Sequence, residues 1–181
     1  MSDAVTKRRD PAGSGKPGAS ARTARQRASA RLAAVQALYQ MELADSTPEQ
    51  VIREFIELRL KEDVDGLGLA EPDRRLLGEL VRGVAAERDD LDDMLAAVLD
   101  EDWPVERLEP LLLVLLRAGA YELSARPGVP VRVVISEYLA VADAFFSAKE
   151  PAMVNGVLDR IARALRPEDF ARQEADGPGE A

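Results

Sequence analysis

The chain has 181 residues, 46% of them hydrophobic, a formal net charge of −9, and neither cysteine nor histidine. This length suits one domain with tails, and leucine, valine and alanine must fill the core because only one Trp, three Tyr and four Phe are present. The missing residue types exclude disulfides, thiol nucleophiles, Cys/His zinc sites and imidazole bases.

The charge is divided along the chain. Residues 1–31 hold eight Lys/Arg and two Asp, a net +6, which leaves 16 Lys/Arg and 31 Asp/Glu, a net −15, on the rest. An acidic body repels a polyanion that its basic arm attracts, so contact with one is confined to the arm and oriented. The first residues form no apolar signal stretch, and a soluble cytoplasmic protein without membrane contact is expected.

Residues 1–20 are rich in Gly, Ser, Ala and Pro and are expected to be disordered. From about Thr23 a helix begins, with Leu32, Val35, Leu38, Tyr39 and Leu43 at helical spacing, and Asp45-Ser46 ends it. Thr47-Pro48-Glu49-Gln50 starts the second helix with a capping hydroxyl, a proline at the first helical position and Gln at the capping-box position. Val51, Ile52, Phe55, Ile56 and Leu58 form its apolar face, and Asp63–Ala70 reads as a loop. Pro72 opens a third helix. Helical period continues from Leu76 to Leu99, which predicts one long helix, bent near Gly83.

Asp102-Trp103-Pro104 closes that region and leads through a short turn of helix to the stretch around which the chain is organised, Leu108–Ser124. Six consecutive apolar residues, Leu111–Leu116, cover the whole circumference of a helix. Such a helix is buried or membrane-spanning, and Arg117 stops the run well short of the roughly 20 residues a span needs. It is therefore the central helix of an all-helical domain, and Gly119 predicts a close crossing by a neighbour. Arg126-Pro127-Gly128-Val129-Pro130 is a hard break. Val131–Phe146 is the next helix, with Val134, Ile135, Tyr138, Ala142 and Phe145 inward. A last helix starts at Glu150-Pro151, runs through Leu165 and is ended by Pro167, and residues 168–181 form a loose acidic tail. The expectation is an all-α fold of six or seven helices in two packed subdomains, roughly 22–100 and 102–166, within a domain 22–167 flanked by a basic arm 1–21.

Chemistry-bearing patterns are few. Asp89-Asp90-Leu91-Asp92-Asp93 resembles the magnesium cluster of helical prenyl-transfer enzymes, but no second acidic cluster accompanies it, and a solvated acidic face is the plainer reading. Gly13-Ser14-Gly15-Lys16 lacks the strand and helix of a phosphate loop. No cofactor and no catalysis are expected. Lys7, Arg8, Arg9, Lys16, Arg22, Arg25, Arg27 and Arg31 run from the tail into the first helix. Arginine-rich segments that fold on binding are a common RNA-recognition device, and a solubilising tail is the alternative. Lys149, near a helix start, extends the basic surface.

Four stretches together resemble the NusB family of transcription antitermination factors. They are Arg27–Tyr39 (RASARLAAVQALY), Leu116-Arg117-Ala118-Gly119-Ala120-Tyr121-Glu122-Leu123, Val129-Pro130 with Val133, Ile135 and Glu137, and Val154-Asn155-Gly156-Val157-Leu158-Asp159. The resemblance covers about 22–167. It implies a fold of two helical subdomains and binding to the single-stranded boxA element of nascent ribosomal RNA. It also implies a heterodimer with the small-subunit ribosomal protein that acts as NusE, and through it contact with other Nus factors and RNA polymerase. A homodimer of the free chain stays open. The family's arginine-rich N-terminus falls on Arg25, Arg27 and Arg31, with Arg22 nearby. Its second RNA contact region falls before Val154-Asn155-Gly156, on Lys149, Met153 and Asn155. Met153 stands where members often carry an aromatic, and stacking on an aromatic is worth about 1–3 kcal/mol per base. Asn155 is more often a hydrogen-bonding residue of its own helix than an RNA contact, and Tyr39 either meets the partner or covers the core. Two alternatives are a helical protein adapter that does not touch RNA and a stand-alone relative of the RNA-binding module of an rRNA cytosine methyltransferase.

Overall fold

The computed structural model describes residues 18–62, 71–100, 103–147 and 149–175. Most of the basic arm, the expected loop Asp63–Ala70, Asp102 and the end of the tail lie outside the described residues. Among those described there are eight α-helices and no strand: α1 (Ala19–Ala44), α2 (Pro48–Glu62), α3 (Arg74–Ala86), α4 (Arg88–Ala96), α5 (Pro110–Ala125), α6 (Val131–Phe145), α7 (Lys149–Leu165) and α8 (Pro167–Ala175), with a 3-10 turn at Val105–Arg107. None is long and apolar enough to cross a membrane.

Helix α5 is the hub, as its all-round apolar run requires. Leu112, Val114, Leu115, Leu116, Ala118, Ala120 and Leu123 are buried beneath α1, α3, α4, α6 and α7. Fully burying a leucine contributes about 1.5–3 kcal/mol. Truncating Leu115, at the centre of this contact, would cost about 2–5 kcal/mol. Gly119 allows the close crossing expected of it: a Cβ there would lie 2.8 Å from Cδ2 of Leu158 on α7.

Helix α1 packs across α3, α5 and α2 through Ala30, Ala33, Ala34 and Ala37, whose small side chains bring the axes close. It begins at Ala19, four residues before the expected Thr23, and ends at Asp45, which adopts a left-handed conformation (φ 46°) that Asp tolerates better than most residues. The second helix starts as its sequence demands. Thr47 N–H donates to Gln50 Oε1 at 2.8 Å, and Gln50 N–H donates to Thr47 Oγ1 at 3.3 Å. Val51 and Ile52 are buried, but Leu58, on the same stripe, is 53% exposed because no described residue covers the outer end of α2.

Three expectations need correction. The long helix over Leu76–Leu99 is two helices, and the bend falls at Glu87 (φ −104°, ψ 21°) rather than at Gly83. Gly83 serves packing instead, since a Cβ on it would come within 2.0 Å of the Tyr121 ring. Phe145 is 37% exposed, and it is Val131, Val141 and the following Phe146 that pack inward. The segment from Pro167 to Ala175 is helix α8, not loose tail: the proline that ends α7 also begins α8, Phe170 packs on the core, and the Arg163 guanidinium lies 4.3 Å from its ring centroid. Between α7 and α8, Arg166 donates to the backbone carbonyls of Val129 (2.8 Å), Leu123 and Glu122 (3.4 Å). It thereby supplies donors to carbonyls in the last turn of α5, where Glu122 also accepts from the Arg126 N–H at 3.2 Å.

Candidate nucleic-acid interface

The bundle covers α1 only from Gln26 onward, where the backbone N–H of Asp73 meets the Gln26 carbonyl at 2.9 Å. Residues 18–25 are exposed on every side, so the first two turns project from the body. Arg22, Arg25 and Arg27 are exposed and have no acidic partner among the described residues. The first turn of α1 holds no acidic residue either. The positive end of a helix favours an anion by about 0.3–1 kcal/mol, so the cation Arg22 sits where an anion is wanted. A phosphate placed there would satisfy both.

Arg31 has another role. It is buried (3% exposed), its Nε donates to Glu122 Oε2 at 2.9 Å, one terminal nitrogen donates to Glu122 Oε1 at 2.6 Å, and the other to Glu137 Oε2 at 3.1 Å. Glu122 is fully buried on α5 and also accepts from the Tyr138 hydroxyl at 3.1 Å. Burial opposes the Arg31 charge, but the Glu122 carboxylate outweighs it and the pKa is raised. Burial, together with the same carboxylate, pushes the Tyr138 hydroxyl well above its ordinary value. Arg31 thus forms an ion pair that joins α1, α5 and α6. A second such pair holds the other side of α5, where Arg117 donates to both Asp92 oxygens (2.6 and 2.7 Å) and to Glu42 (2.8 Å). This engages one carboxylate of the Asp89–Asp93 run, and among the described residues no three His, Cys, Asp or Glu converge as metal ligands do.

Lys149, Met153 and Asn155 share the start of α7. Lys149 and Asn155 are exposed and Met153 is half-buried against the core. A groove of about 330 Å³ runs beside them, lined by Lys149, Met153, Gly156, Arg160, Leu99 and Trp103. The structure thus unites Lys149 and Met153 with Trp103, a residue the sequence motifs did not single out, and leaves Arg22, Arg25 and Arg27 outside that groove. Tyr39 is half-buried and packs on the core. The ion-pair roles of the buried Glu122 and the half-buried Glu137, and the hydrogen bond from Tyr138 to Glu122, were also missed. Their signal was Glu122 itself, the one carboxylate of α5, set among apolar residues and in need of a cation.

The NusB family model matches residues 28–163. The transcription antitermination protein NusB of Brucella ovis is 46% identical over 147 residues, covering 81% of this chain and 86% of that protein. Its counterpart in Granulibacter bethesdensis is 43% identical over 161 residues, covering 86% of this chain and 99% of that protein. A solved structure of T. maritima NusB superposes with a TM-score of 0.65 at 28% identity, covering 80% of this chain and 96% of that one.

Proposed function

The chain belongs to the NusB family, and from that premise we propose that it is a transcription antitermination factor that grips single-stranded boxA RNA of nascent ribosomal transcripts in the cytoplasm. It does so together with the small-subunit ribosomal protein acting as NusE, and the pair delivers other Nus factors to RNA polymerase. The role is binding, without a catalytic step. The observation that carries the reading is Arg22, Arg25 and Arg27, exposed near the start of α1 and without an acidic partner among the described residues, set against a body of net charge opposite to the arm.

Each part then has a physical task. The arm meets phosphates with its guanidinium groups, and the rest of the acidic surface keeps the strand from spreading elsewhere. Lys149 and the groove at α7 supply a second, weaker hold. The ribosomal protein adds its own RNA surface, so the tethered pair binds more tightly than either protein alone.

Gel shifts with boxA RNA and a scrambled control, with and without the ribosomal protein, test this. The expected result is a preference for boxA that the partner enhances, with log affinity falling linearly against log salt at about 0.7 per phosphate contacted. Partner binding with no RNA affinity in any arm would favour the adapter alternative.

A further inference from the structure

Two helices leave the body at the same end of α5. Arg31 on α1 holds the Glu122 carboxylate, and Arg166, between α7 and α8, donates to the Glu122 and Leu123 carbonyls. Farther back along α5, Arg117 meets Glu42 of α1. Helix α1 therefore runs broadly antiparallel to α5, and its residues before Arg31 pass beyond the C-terminal end of α5. Helix α8 starts at that same end, pinned by Phe170 against the core and by the Arg163 guanidinium over its ring. The two segments carry opposite charge. Residues 1–30, which leave out the clamped Arg31, hold seven Lys/Arg and two Asp, a net +5. Residues 168–181 hold five Asp/Glu and Arg172, a net −4. Arg22, Arg25 and Arg27 have no acidic partner among the described residues, and Glu168 and Asp169, in the first turn of α8, have no basic one. The acidic segment also lies beyond residues 28–163, which the family model matches.

We propose that residues 168–181 are a built-in competitor for the arginine arm, an acidic segment that pairs with the free guanidinium groups of residues 1–30 until RNA displaces it. The inference rests on the RNA-binding reading above and adds its regulation. An extended chain reaches about 3.3–3.6 Å per residue, so segments that start a few side chains apart meet readily. Tethering holds each at an effective concentration in the millimolar range for the other. Carboxylates offer the arm the same charge and the same paired oxygens as phosphates, so this pairing and RNA binding exclude each other. The exposed Asp89, Asp90 and Asp93 of α4 are weaker rivals, because they lie across α5 from the clamp, on the side where Arg117 holds Asp92. A competitor of this kind lowers the affinity for every RNA by the same factor. Weak, non-specific complexes then fail, while those reinforced by the ribosomal protein survive.

Two full-length variants with the same change in charge supply the test. One combines Glu174→Gln, Asp176→Asn and Glu180→Gln, which leaves the first turn of α8 and Phe170 intact. The other combines Asp89→Asn, Asp90→Asn and Asp93→Asn. Each is titrated with boxA and scrambled RNA at low and high salt, and unfolding midpoints refer the affinities to folded chains. The tail variant should bind both RNAs roughly 3- to 10-fold more tightly at low salt, as expected when an arm about 70–90% occupied is released. The gain should fade as salt screens the pairing. The α4 variant should gain little, and most of the tail variant's gain should vanish in a chain that also carries Arg22→Ala, Arg25→Ala and Arg27→Ala. Without RNA, trypsin should cut after Arg22 and Arg25 faster in the tail variant than in the parent, and high salt should erase that difference. Equal gains from the two variants would overturn the inference, reducing the effect to net charge. Unchanged affinity with unchanged cleavage in the tail variant would overturn it too and leave the arm reading standing. RNA binding by none of the proteins would remove the functional reading itself, and the cleavage comparison would then decide the inference alone.

Discussion

Arg27 and Arg31 lie one turn apart on the same face of α1, and the molecule uses them in opposite ways. Arg27 is exposed, has no acidic partner among the described residues and lies just where the bundle begins to cover α1. Arg31 is sealed in the core, with three hydrogen bonds to two carboxylates. The difference comes from where α3, α5 and α6 reach α1, not from the side chain. One arginine-rich segment is therefore two devices: a free polycation for a partner and an internal clamp that fixes the angle at which the arm leaves the body.

Replacing the clamp should have the largest effect. Arg31→Ala leaves Glu122 buried with only the Tyr138 hydroxyl and a longer contact to Arg126 at 3.6 Å. Orphaning one partner of a buried pair costs about 3–5 kcal/mol, which chemical denaturation would report as a lower midpoint. A double change, Arg31→Met with Glu122→Leu, should recover much of this, because the penalty lies in the unpaired charge.

Removing the free arginines should act on binding alone. Arg22→Ala, Arg25→Ala and Arg27→Ala together should lower the salt slope of RNA binding by about 2 and the affinity roughly 50-fold at physiological salt. Stability should stay within about 0.5 kcal/mol, as is usual for surface changes. A triple variant that unfolds easily would erase the contrast with Arg31.

A smaller effect concerns alkaline pH. The Tyr138 pKa is raised well above the ordinary value of 10.0 by burial and by the Glu122 carboxylate. The unfolded chain thus loses that proton first. Its contribution to stability is complete below the unfolded value, about pH 10, and is lost as pH rises toward the folded one. Tyr138→Phe should flatten this alkaline decline and cost about 0.5–1.5 kcal/mol at neutral pH for the lost hydrogen bond. Denaturation midpoints measured from pH 7 to pH 11 on both proteins would show it.

Much of the fold was legible because it is written in local signals. The all-round apolar run of α5, the Thr47–Gln50 capping box and the Gly119 crossing each follow from a few adjacent residues. The break at Glu87 was not legible, because the hydrogen-bond ladder nearly continues through it: Glu87 N–H reaches Gly83 and Leu91 N–H reaches Glu87. The apolar period therefore runs on past the bend. Helix α8 was hidden because a proline stops one helix and starts another with the same ring. The distinction between Arg27 and Arg31 lay beyond local reading altogether, since the carboxylate that decides it is 91 residues away. Trp103 went unread as a groove wall for the same reason, as its neighbours come from a distant helix.

The most direct test of the central claim is a matched pair, Arg27→Ala and Arg31→Ala, each titrated with boxA RNA and referred to the folded fraction measured in the same buffer. The account predicts that the Arg27 variant keeps its unfolding midpoint and loses about 4-fold in affinity at physiological salt, the share of one phosphate. It predicts that the Arg31 variant loses stability while its folded molecules bind as before. Full stability with impaired binding in the Arg31 variant, and unimpaired binding in the Arg27 variant, would contradict it.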